Sequence, residues 1–189
     1  MLSVIIATRD SERALVPTLA ALVPGAVAGL VSEVIVADAG SIDQTAVVAD
    51  VAGCSLLVVE GVIGKRLKAA AATARAPWLL FLRPGTILDA PWPGETRHFL
   101  EQSNRRDRAA AFRLGAAGRS GFADALLLLA AALGAKPRPE QGLIISKQFY
   151  DQIGGHSELA ADAEADLVRR LGRRRIVTLS TSALHAGRA

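Results

Sequence analysis

Residues 33–45, EVIVADAGSIDQT, combine a continuous apolar run, a carboxylate and a turn that leads into a helix. A short apolar run of this kind is typical of a strand that is covered on both faces of a parallel sheet. Asp38 follows the run, Gly40 and Ser41 turn the chain, and Asp43 can cap a helix over residues 44–52. The amino end of that helix can face phosphate. From spacing alone, Asp38 and Ser41 either contact a ligand or only cap the helix.

Three other apolar runs repeat this pattern along the first half of the chain, so that strands are predicted at residues 2–6, 33–37, 55–59 and 78–82. Helical segments lie between them. Leu15, Leu19 and Leu22 share a helix face, although Pro17 should delay or kink that helix, and residues 65–74 are rich in good helix formers. The alternation predicts an α/β fold with a mainly parallel sheet flanked by helices. Ligands of such sheets bind at the carboxyl ends of the strands.

The second half is less regular, but no linker, repeat or low-complexity tail separates it from the first. Pro84, Pro91 and Pro93 predict a loop. Helices are predicted at residues 95–103, 121–134, 149–153 and 162–171, and strands at 109–114, 143–146 and 175–179. We therefore expect a single domain over residues 1–189.

Composition limits the partners. The 189 residues carry a net charge of +4, which favours anionic partners such as nucleotide phosphates, anionic lipid head groups or nucleic acid. Aromatic residues make up only 4%, too few for the base stacking that nucleic-acid binding usually needs. Arg105, Arg106, Arg108 and the arginines of 169–175 are solvated charges or, as the next interpretation, a contact with anionic lipid.

The expected location follows from the lone cysteine, Cys54, and from the absence of a secretory leader. Both favour a cytoplasmic protein, and contact of the basic surface with lipid would place it at the inner face of the membrane as a peripheral protein. The longest apolar run, residues 122–133, is shorter than the roughly 20 residues that span a bilayer, so it predicts a core helix or, as the alternative, a helix that lies in a membrane interface.

Several motifs in order resemble family 2 glycosyltransferases. Residues 3–8 (SVIIAT) and 33–45 resemble the opening of that family, and 74–82 (ARAPWLLFL) resembles the strand that leads into its metal motif. Residues 111–114, 140–143, 153–155 and 166–171 resemble elements of a bacterial subgroup. The resemblance covers residues 2–179, nearly the whole chain.

This resemblance implies a GT-A, Rossmann-like fold and transfer of a sugar from a nucleotide-diphosphate sugar to a hydroxyl acceptor, which would be lipid-linked if the basic surface contacts lipid. Residues 1–90 would form the nucleotide-sugar-binding half and residues 91–189 the acceptor half. Thr8 and Asp38 would contact the base and ribose of the donor, with Gly40 and Ser41 in the adjoining turn. Thr8 would otherwise only satisfy local backbone.

The chain departs from the family at the metal site. The family's D-x-D-like pair normally holds a divalent cation on the diphosphate, but here Arg83-Pro-Gly-Thr86 occupies that stretch. A hard cation such as Mn²⁺ or Mg²⁺ needs oxygen ligands, which arginine and glycine side chains do not supply. We therefore assign no metal ligand and expect that Arg83, with Lys65 and Lys68, neutralises the diphosphate directly. Lys68 replaces the family's usual asparagine.

An acid survives where the catalytic base would stand, because Ala163-Glu164 replaces the family's Glu-Asp pair. Glu164 would take the proton of the acceptor hydroxyl, or it is an ordinary solvated residue on the face of Val168. Glu140 stands where the subgroup has an aspartate and would orient the acceptor, or it is a loop carboxylate beside arginines.

Two other functions stay open. The first is a catalytically inactive GT-A-fold protein that binds a nucleotide or a partner protein. The second, a nucleotidyltransferase, fits less well because Ala7-Thr8-Arg9 stands where a glycine-rich phosphate loop would follow the first strand. A metal site rebuilt from Asp89 or Glu140 is a further alternative.

Overall fold

A computed structural model describes residues 1–102, 107–115 and 138–185. The predicted helix at residues 121–134 and the arginines Arg105 and Arg106 lie outside the described residues. Within them the chain forms one α/β domain whose sheet takes strands from both halves of the sequence.

Eight strands form one sheet in the order β3-β2-β1-β4-β7-β6-β8-β5. They are β1 Leu2–Thr8, β2 Val31–Asp38, β3 Ser55–Val58, β4 Trp78–Leu82, β5 Thr86–Leu88, β6 Ala109–Leu114, β7 Leu143–Ser146 and β8 Ile176–His185. The first four are parallel neighbours, as the sequence predicted. β7 runs antiparallel to β4 and β6, β8 is parallel to β6, and β5 is antiparallel to β8.

Six described α-helices cover the sheet: α1 Glu12–Val27, α2 Thr45–Val51, α3 Ile63–Thr73, α4 Trp92–Glu101, α5 Lys147–Gln152 and α6 Ala163–Leu171. Short 3₁₀ turns stand at Pro139–Gln141 and Arg173–Arg175. No helix among the described residues is long and apolar enough to cross a membrane.

Successive residues of the central strands point to opposite faces, so the sheet has two cores. On one face Val4 and Ile6 pack with buried residues of α1, α2 and α4, while on the other Ile5 packs with those of α3, α5 and α6. Burial on both faces explains why the central strands are continuously apolar.

Three expectations about local structure were wrong. α1 is not delayed by Pro17, because the helix begins at Glu12 and contains Pro17 and Pro24. β3 is an edge strand rather than a covered one, and Leu56 and Val58 are exposed. The predicted loop after Pro84 contains β5, which exists because it pairs with the end of β8, almost a hundred residues later in the chain.

Candidate functional site

The carboxyl ends of β1 and β2 are joined by a buried hydrogen bond. Thr8 and Asp38 are the last residues of these strands and lie opposite each other in register. The hydroxyl of Thr8 donates to Oδ1 of Asp38 at 2.7 Å. The backbone N–H groups of Gly40 and Ser41 donate to Oδ2 at 2.9 and 2.6 Å, and the Ser41 hydroxyl donates to Oδ1. The Asp38 carboxylate therefore shapes the turn that follows β2, in which Gly40 has a φ of +82°.

This network fixes the charge of Asp38. Burial alone would raise the pKa of its carboxyl, but the hydrogen bonds from Ser41, Thr8 and Gly40 outweigh burial and lower the pKa below its usual value. Asp38 is thus an ionised group with four accepted hydrogen bonds. A ligand that binds here would meet a carboxylate that is already hydrogen-bonded to Thr8, Gly40 and Ser41. We call these four residues the wall at the ends of β1 and β2.

The turns after β1 and β2 form one unit. The backbone N–H of Asp10 donates to the Ser41 hydroxyl at 2.8 Å, and Ile42 N–H donates back to Asp10 Oδ1 at 2.9 Å. Asp43 accepts from the backbone N–H of Glu12 at 3.0 Å as well as from Thr45. Asp43 therefore ties the starts of α1 and α2 together, although the N-cap position of α2 is Gln44.

Arg66 contacts the end of β1 directly, and the sequence analysis missed it. Its NH1 donates to the carbonyl oxygen of Thr8 at 2.9 Å, and only 8% of the residue is exposed. Its buried Nε has no hydrogen-bond partner among the described residues. Burial lowers the pKa of Arg66, against the attraction of Asp38. The sequence offered one signal for this burial, because Arg66 lies four residues before Ala70 and therefore shares a helix face with it.

The two lysines that were expected beside the diphosphate are more exposed than Arg66. Lys65 lies on the solvent side of the first turn of α3. Lys68 forms a surface ion pair with Glu158, at 3.4 Å between Nζ and Oε1, and both side chains are about half exposed. Within α3 it is Arg66 that reaches the end of β1.

A second cluster lies where β4 ends. Arg83 follows the last residue of β4 and forms ion pairs with two carboxylates, Glu164 in the first turn of α6 and Glu140 in a 3₁₀ turn. Nε donates to Glu164 Oε2 at 2.9 Å, NH1 donates to Glu140 Oε1 at 3.0 Å, and NH2 also donates to Glu164. Since β4 is parallel to β1, this cluster lies at the same edge of the sheet as Thr8.

Burial and the arginine act on Glu164 in opposite directions. Burial raises the pKa of Glu164, while the hydrogen bonds and charge of Arg83 lower it, and the result is a pKa above the usual value. For Arg83, burial is the largest single influence and lowers the pKa, but the carboxylates of Glu164 and Glu140 together outweigh burial, so that the pKa is raised. The pair is thus a permanent guanidinium cation next to a carboxylate of increased basicity.

The two clusters are connected through the first turn of α3. Gly64 lies so close to the segment before α6 that an added Cβ would stand 2.0 Å from the carbonyl oxygen of Ser157 and 2.8 Å from Cβ of Ala163. Ala163 directly precedes Glu164, and Arg66 in the same turn of α3 reaches Thr8. The close approach at Gly64 therefore sets the position of Glu164 relative to the end of β1.

Among the described residues, the charged side chains at the end of β4 do not fit a divalent cation. A cation between Glu140 and Glu164 would lie beside the guanidinium of Arg83, which already forms ion pairs with both carboxylates and would repel it. Asp89 accepts a hydrogen bond from the backbone N–H of Ser182 on β8 at 3.1 Å. Within residues 1–102, 107–115 and 138–185, no three metal-binding side chains converge.

Comparison with solved structures identifies the architecture. Glucosyl-3-phosphoglycerate synthase from Mycobacterium tuberculosis, in complex with phosphoglyceric acid, matches with a TM-score of 0.66 at 23% identity, over 100% of this chain and 73% of that one. Residues 1–349 of S. aureus TarS, in complex with UDP-GlcNAc, match with a TM-score of 0.73 at 19% identity, over 100% of this chain and 59% of that one. This chain has a GT-A fold.

The GT-A fold does not by itself assign an activity. The identities lie below 25%, and this chain spans about three fifths of the TarS structure, so substrates have to be argued from the site. No protein-family model matches the chain, and no curated protein matches its sequence. The same synthase has also been solved with Mn²⁺, UDP and glucosyl-3-phosphoglycerate, with a TM-score of 0.62 to this chain.

Proposed function

We propose that this GT-A-fold protein transfers a sugar from a nucleotide-diphosphate sugar to a hydroxyl acceptor, with Glu164 as the base and Arg83 as the cation at the leaving group. The observation that carries the proposal is the ion pair of Arg83 and Glu164 at the carboxyl edge of the sheet. The solved GT-A structures bound to UDP or UDP-GlcNAc support a nucleotide-sugar donor.

The donor would lie between the two clusters. In this arrangement Thr8 and Asp38, with the turn at Gly40 and Ser41, form the wall of the nucleoside site. The diphosphate would lie over the first turn of α3, whose free N–H groups and partial positive charge favour anions. The unpartnered Nε of buried Arg66 supports that position, and Lys65 adds a cation at the rim.

Arg83 would replace a metal ion at the leaving diphosphate. A guanidinium has five N–H donors, and three of those in Arg83 are used by Glu140 and Glu164. The two others can bind phosphate oxygens, and the charge is present at any working pH. A fixed cation at the developing negative charge stabilises the transition state for departure of the diphosphate.

Glu164 would accept the proton of the acceptor hydroxyl. In the same step the hydroxyl oxygen bonds to the anomeric carbon, and the bond from that carbon to the diphosphate oxygen breaks. The raised pKa of Glu164 makes its carboxylate a better proton acceptor than an exposed glutamate. Glu140, held by the same guanidinium, would orient the acceptor. Inversion at the anomeric carbon remains an implication of the resemblance to family 2.

The second candidate is a GT-A-fold protein that binds a nucleotide without catalysis. It is favoured by the same ion pair, because two of the hydrogen bonds from Arg83 occupy Glu164 and would have to rearrange before the carboxylate takes a proton. The two candidates differ in turnover and agree in donor binding.

The first experiment measures donor binding by calorimetry, across nucleotide diphosphates and nucleotide sugars, in excess chelator and then with added Mn²⁺. We expect binding in chelator that weakens with rising salt, as charge pairing with phosphate does. Arg83→Ala, Lys65→Ala and Arg66→Ala should each weaken it. Arg174→Ala, which removes an exposed arginine in the turn before β8, is the matched control and should bind normally. Binding that appears only with Mn²⁺ would show that cations of the protein do not replace a metal.

The second experiment measures sugar transfer with the donor that binds. Glu164→Gln should abolish transfer and leave donor binding largely intact, because the amide cannot accept the proton. Full turnover in that variant removes Glu164 from the mechanism, whereas donor binding without turnover in the parent protein favours the non-catalytic candidate.

A further inference from the structure

The outer face of α1 carries no charge beyond the first turn of the helix. No charged residue occurs between Arg13 and Glu33 in the sequence. On the side away from the sheet, α1 exposes Val16, Val23 and Val27, each by more than half. A surface helix normally places charged or polar residues on that side, and a helix that is apolar all round is normally buried. The sequence of α1 therefore fits a helix that is covered on its outer side as well.

These valines lie on the flank of α1 that faces α2. The other flank faces α4, because the indole N–H of Trp92 donates to the carbonyl oxygen of Ala21 at 3.0 Å. Val23 is two residues further along the helix, a turn of about 200°, and Val16 and Val27 share its face. α2 packs on β3 and α4 packs on β8, and these strands lie on opposite sides of β1 in the sheet. The exposed valines of α1 therefore adjoin α2.

The exposed apolar surface continues over α2 to the edge of the sheet. Val47 and Val51, one turn apart on α2, are more than half exposed. Leu56 of β3 pairs with Val36, which belongs to the core under α1 and α2, so Leu56 and Val58 lie on the same side of the sheet as these helices. We call the following residues the valine face: Val16, Val23, Val27, Val47, Val51, Leu56 and Val58.

The valine face is large enough for the apolar centre of a dimer contact. Its valines are each more than half exposed, so the face leaves about four side chains' worth of apolar surface open to solvent. At roughly 60–120 Å² of apolar area for a fully exposed aliphatic side chain, this is on the order of 250–500 Å². Ala20 and Pro24, exposed on the outer side of α1, add to it. A standard interface buries about 800 Å² on each partner, of which about 65% is apolar in homodimers.

Charge favours a second copy over a membrane as the partner. A helix that lies in a membrane interface normally carries lysine or arginine beside its apolar face. The charged residue of α2, in contrast, is the exposed Asp50, which an anionic lipid surface would repel. The net charge of +4 opposes contact between two copies, but the exposed arginines Arg173–Arg175 follow α6, which packs on the other side of the sheet. Contact through the valine face therefore keeps these arginines apart.

We propose that the valine face is the contact surface of a homodimer, in which a second copy of this chain covers it across a two-fold axis. In such a contact the same surface serves both copies, so an apolar surface without clustered charge is complementary to itself. No residue assigned to the donor or to the base belongs to the valine face. The proposal is thus independent of the proposed glycosyl transfer.

Sedimentation velocity over a dilution series measures the dimer directly. We expect a monomer–dimer equilibrium with a dissociation constant of about 1 μM or less, as interfaces of standard size show. Methyl-detected NMR gives a second measurement that needs no substitution. On dilution through the dissociation constant, the signals of Val23 and Val47 should shift, whereas Leu159, an exposed residue in the loop before α6, should not.

Substitutions assign the contact to the valine face. Val23→Glu and Val23→Lys should each raise the dissociation constant at least about a hundredfold, because each buries a charge without a partner. The two variants change the net charge in opposite directions, so a shared effect separates lost apolar contact from long-range repulsion. Val47→Glu repeats the test on α2. Leu159→Glu, at an exposed apolar residue outside the valine face, is the matched control and should dimerise like the parent protein. Circular dichroism and urea unfolding verify that each variant is folded.

Three results would overturn the proposal. The first is a parent protein that stays monomeric, with unchanged methyl signals, at about a hundred times the expected dissociation constant. The second is a dimer that persists in folded Val23→Glu and Val47→Glu, which would place the contact elsewhere. The third is a monomer that binds vesicles of phosphatidylcholine and phosphatidylglycerol and loses this binding in Val23→Glu, which would make a membrane the partner of the valine face.

Discussion

Replacing Arg83 by methionine tests the cluster at the end of β4 most directly. The substitution keeps the length of the aliphatic side chain and removes the charge that Glu140 and Glu164 share. Two carboxylates then stand at one site without a cation. One of them, Glu164, is only 13% exposed, so little solvent is available to replace the guanidinium.

The size of the effect follows from distance and burial. Two unit charges at 4 Å attract by about 4 kcal/mol in an environment of intermediate polarity, and desolvation offsets much of this. The side chains of Arg83 and Glu140 are 34% and 30% exposed, which screens the interaction further. We expect Arg83→Met to lower the free energy of unfolding by about 1–3 kcal/mol near neutral pH.

The loss should depend on pH in a defined direction. The pKa of Glu164 is already raised by burial, and removing Arg83 takes away the interactions that lower it. Where a carboxyl has a higher pKa in the folded state, protonation favours folding, and this advantage is lost as the pH rises through the folded pKa. The deficit of Arg83→Met should therefore be largest near neutral pH and should shrink as the pH falls through the raised pKa of Glu164, so that little of it remains at the ordinary pKa of glutamate.

Urea unfolding at several pH values measures this effect. Arg83→Met combined with Glu164→Gln should recover stability near neutral pH, since the buried charge has been removed. Arg169→Met is the matched control: Arg169 is 69% exposed in its pair with Asp166, so stability should stay within experimental error. The assigned electrostatic role would be refuted if Arg83→Met were as stable as the parent protein near neutral pH, or if its loss of stability were the same at every pH.

Three further predictions concern the frame of the site. Asp38→Ala removes an acceptor of four hydrogen bonds, and we expect it to destabilise the protein by about 2–4 kcal/mol in urea unfolding; unchanged stability would make the turn independent of Asp38. Gly64→Ala should lower the free energy of unfolding by more than about 2 kcal/mol, because the added Cβ would lie 2.0 Å from the Ser157 carbonyl oxygen. Gly94→Ala is the control: it has open space around it and should raise the free energy of unfolding by up to about 1 kcal/mol. His156, with a pKa lowered to about 3, should stay neutral in NMR titrations above that pH, and titration near 6.5 would contradict its burial. Because the unfolded chain takes up this proton first, the free energy of unfolding should fall by about 1.4 kcal/mol per pH unit as the pH falls below the ordinary histidine pKa of about 6.5.

Local pattern was sufficient for the central sheet. The strands β1, β2, β3 and β4 each contain a short apolar run, and strands that alternate with helices pair in parallel. The same reasoning identified the edge of the sheet that carries Thr8, Asp38 and Arg83. The short strands β6 and β7 were also predicted, because each consists almost entirely of apolar residues.

Pattern failed where an element depends on a distant partner. β5 is three residues long and follows a proline, so its sequence reads as a loop, and only pairing with Ala183–His185 makes it a strand. Pro17 predicted a delay or a kink in α1, and of these the structure contradicts the delay. The helix nevertheless runs from Glu12 to Val27, and Trp92, far away in the chain, donates to the carbonyl oxygen of Ala21 in its later turns.

The identity of the acids and bases in the site could be read from the sequence, since arginine at the end of β4 and glutamate at the start of α6 are visible as departures from a familiar pattern. Their contact could not, because it joins residues 81 positions apart through the packing of α6 against α3 at Gly64. For the same reason Arg66 was missed in favour of Lys65. A one-residue difference along a helix turns a side chain by about 100°, and only packing against the sheet decides that the Arg66 side chain is buried against the end of β1 while Lys65 is exposed.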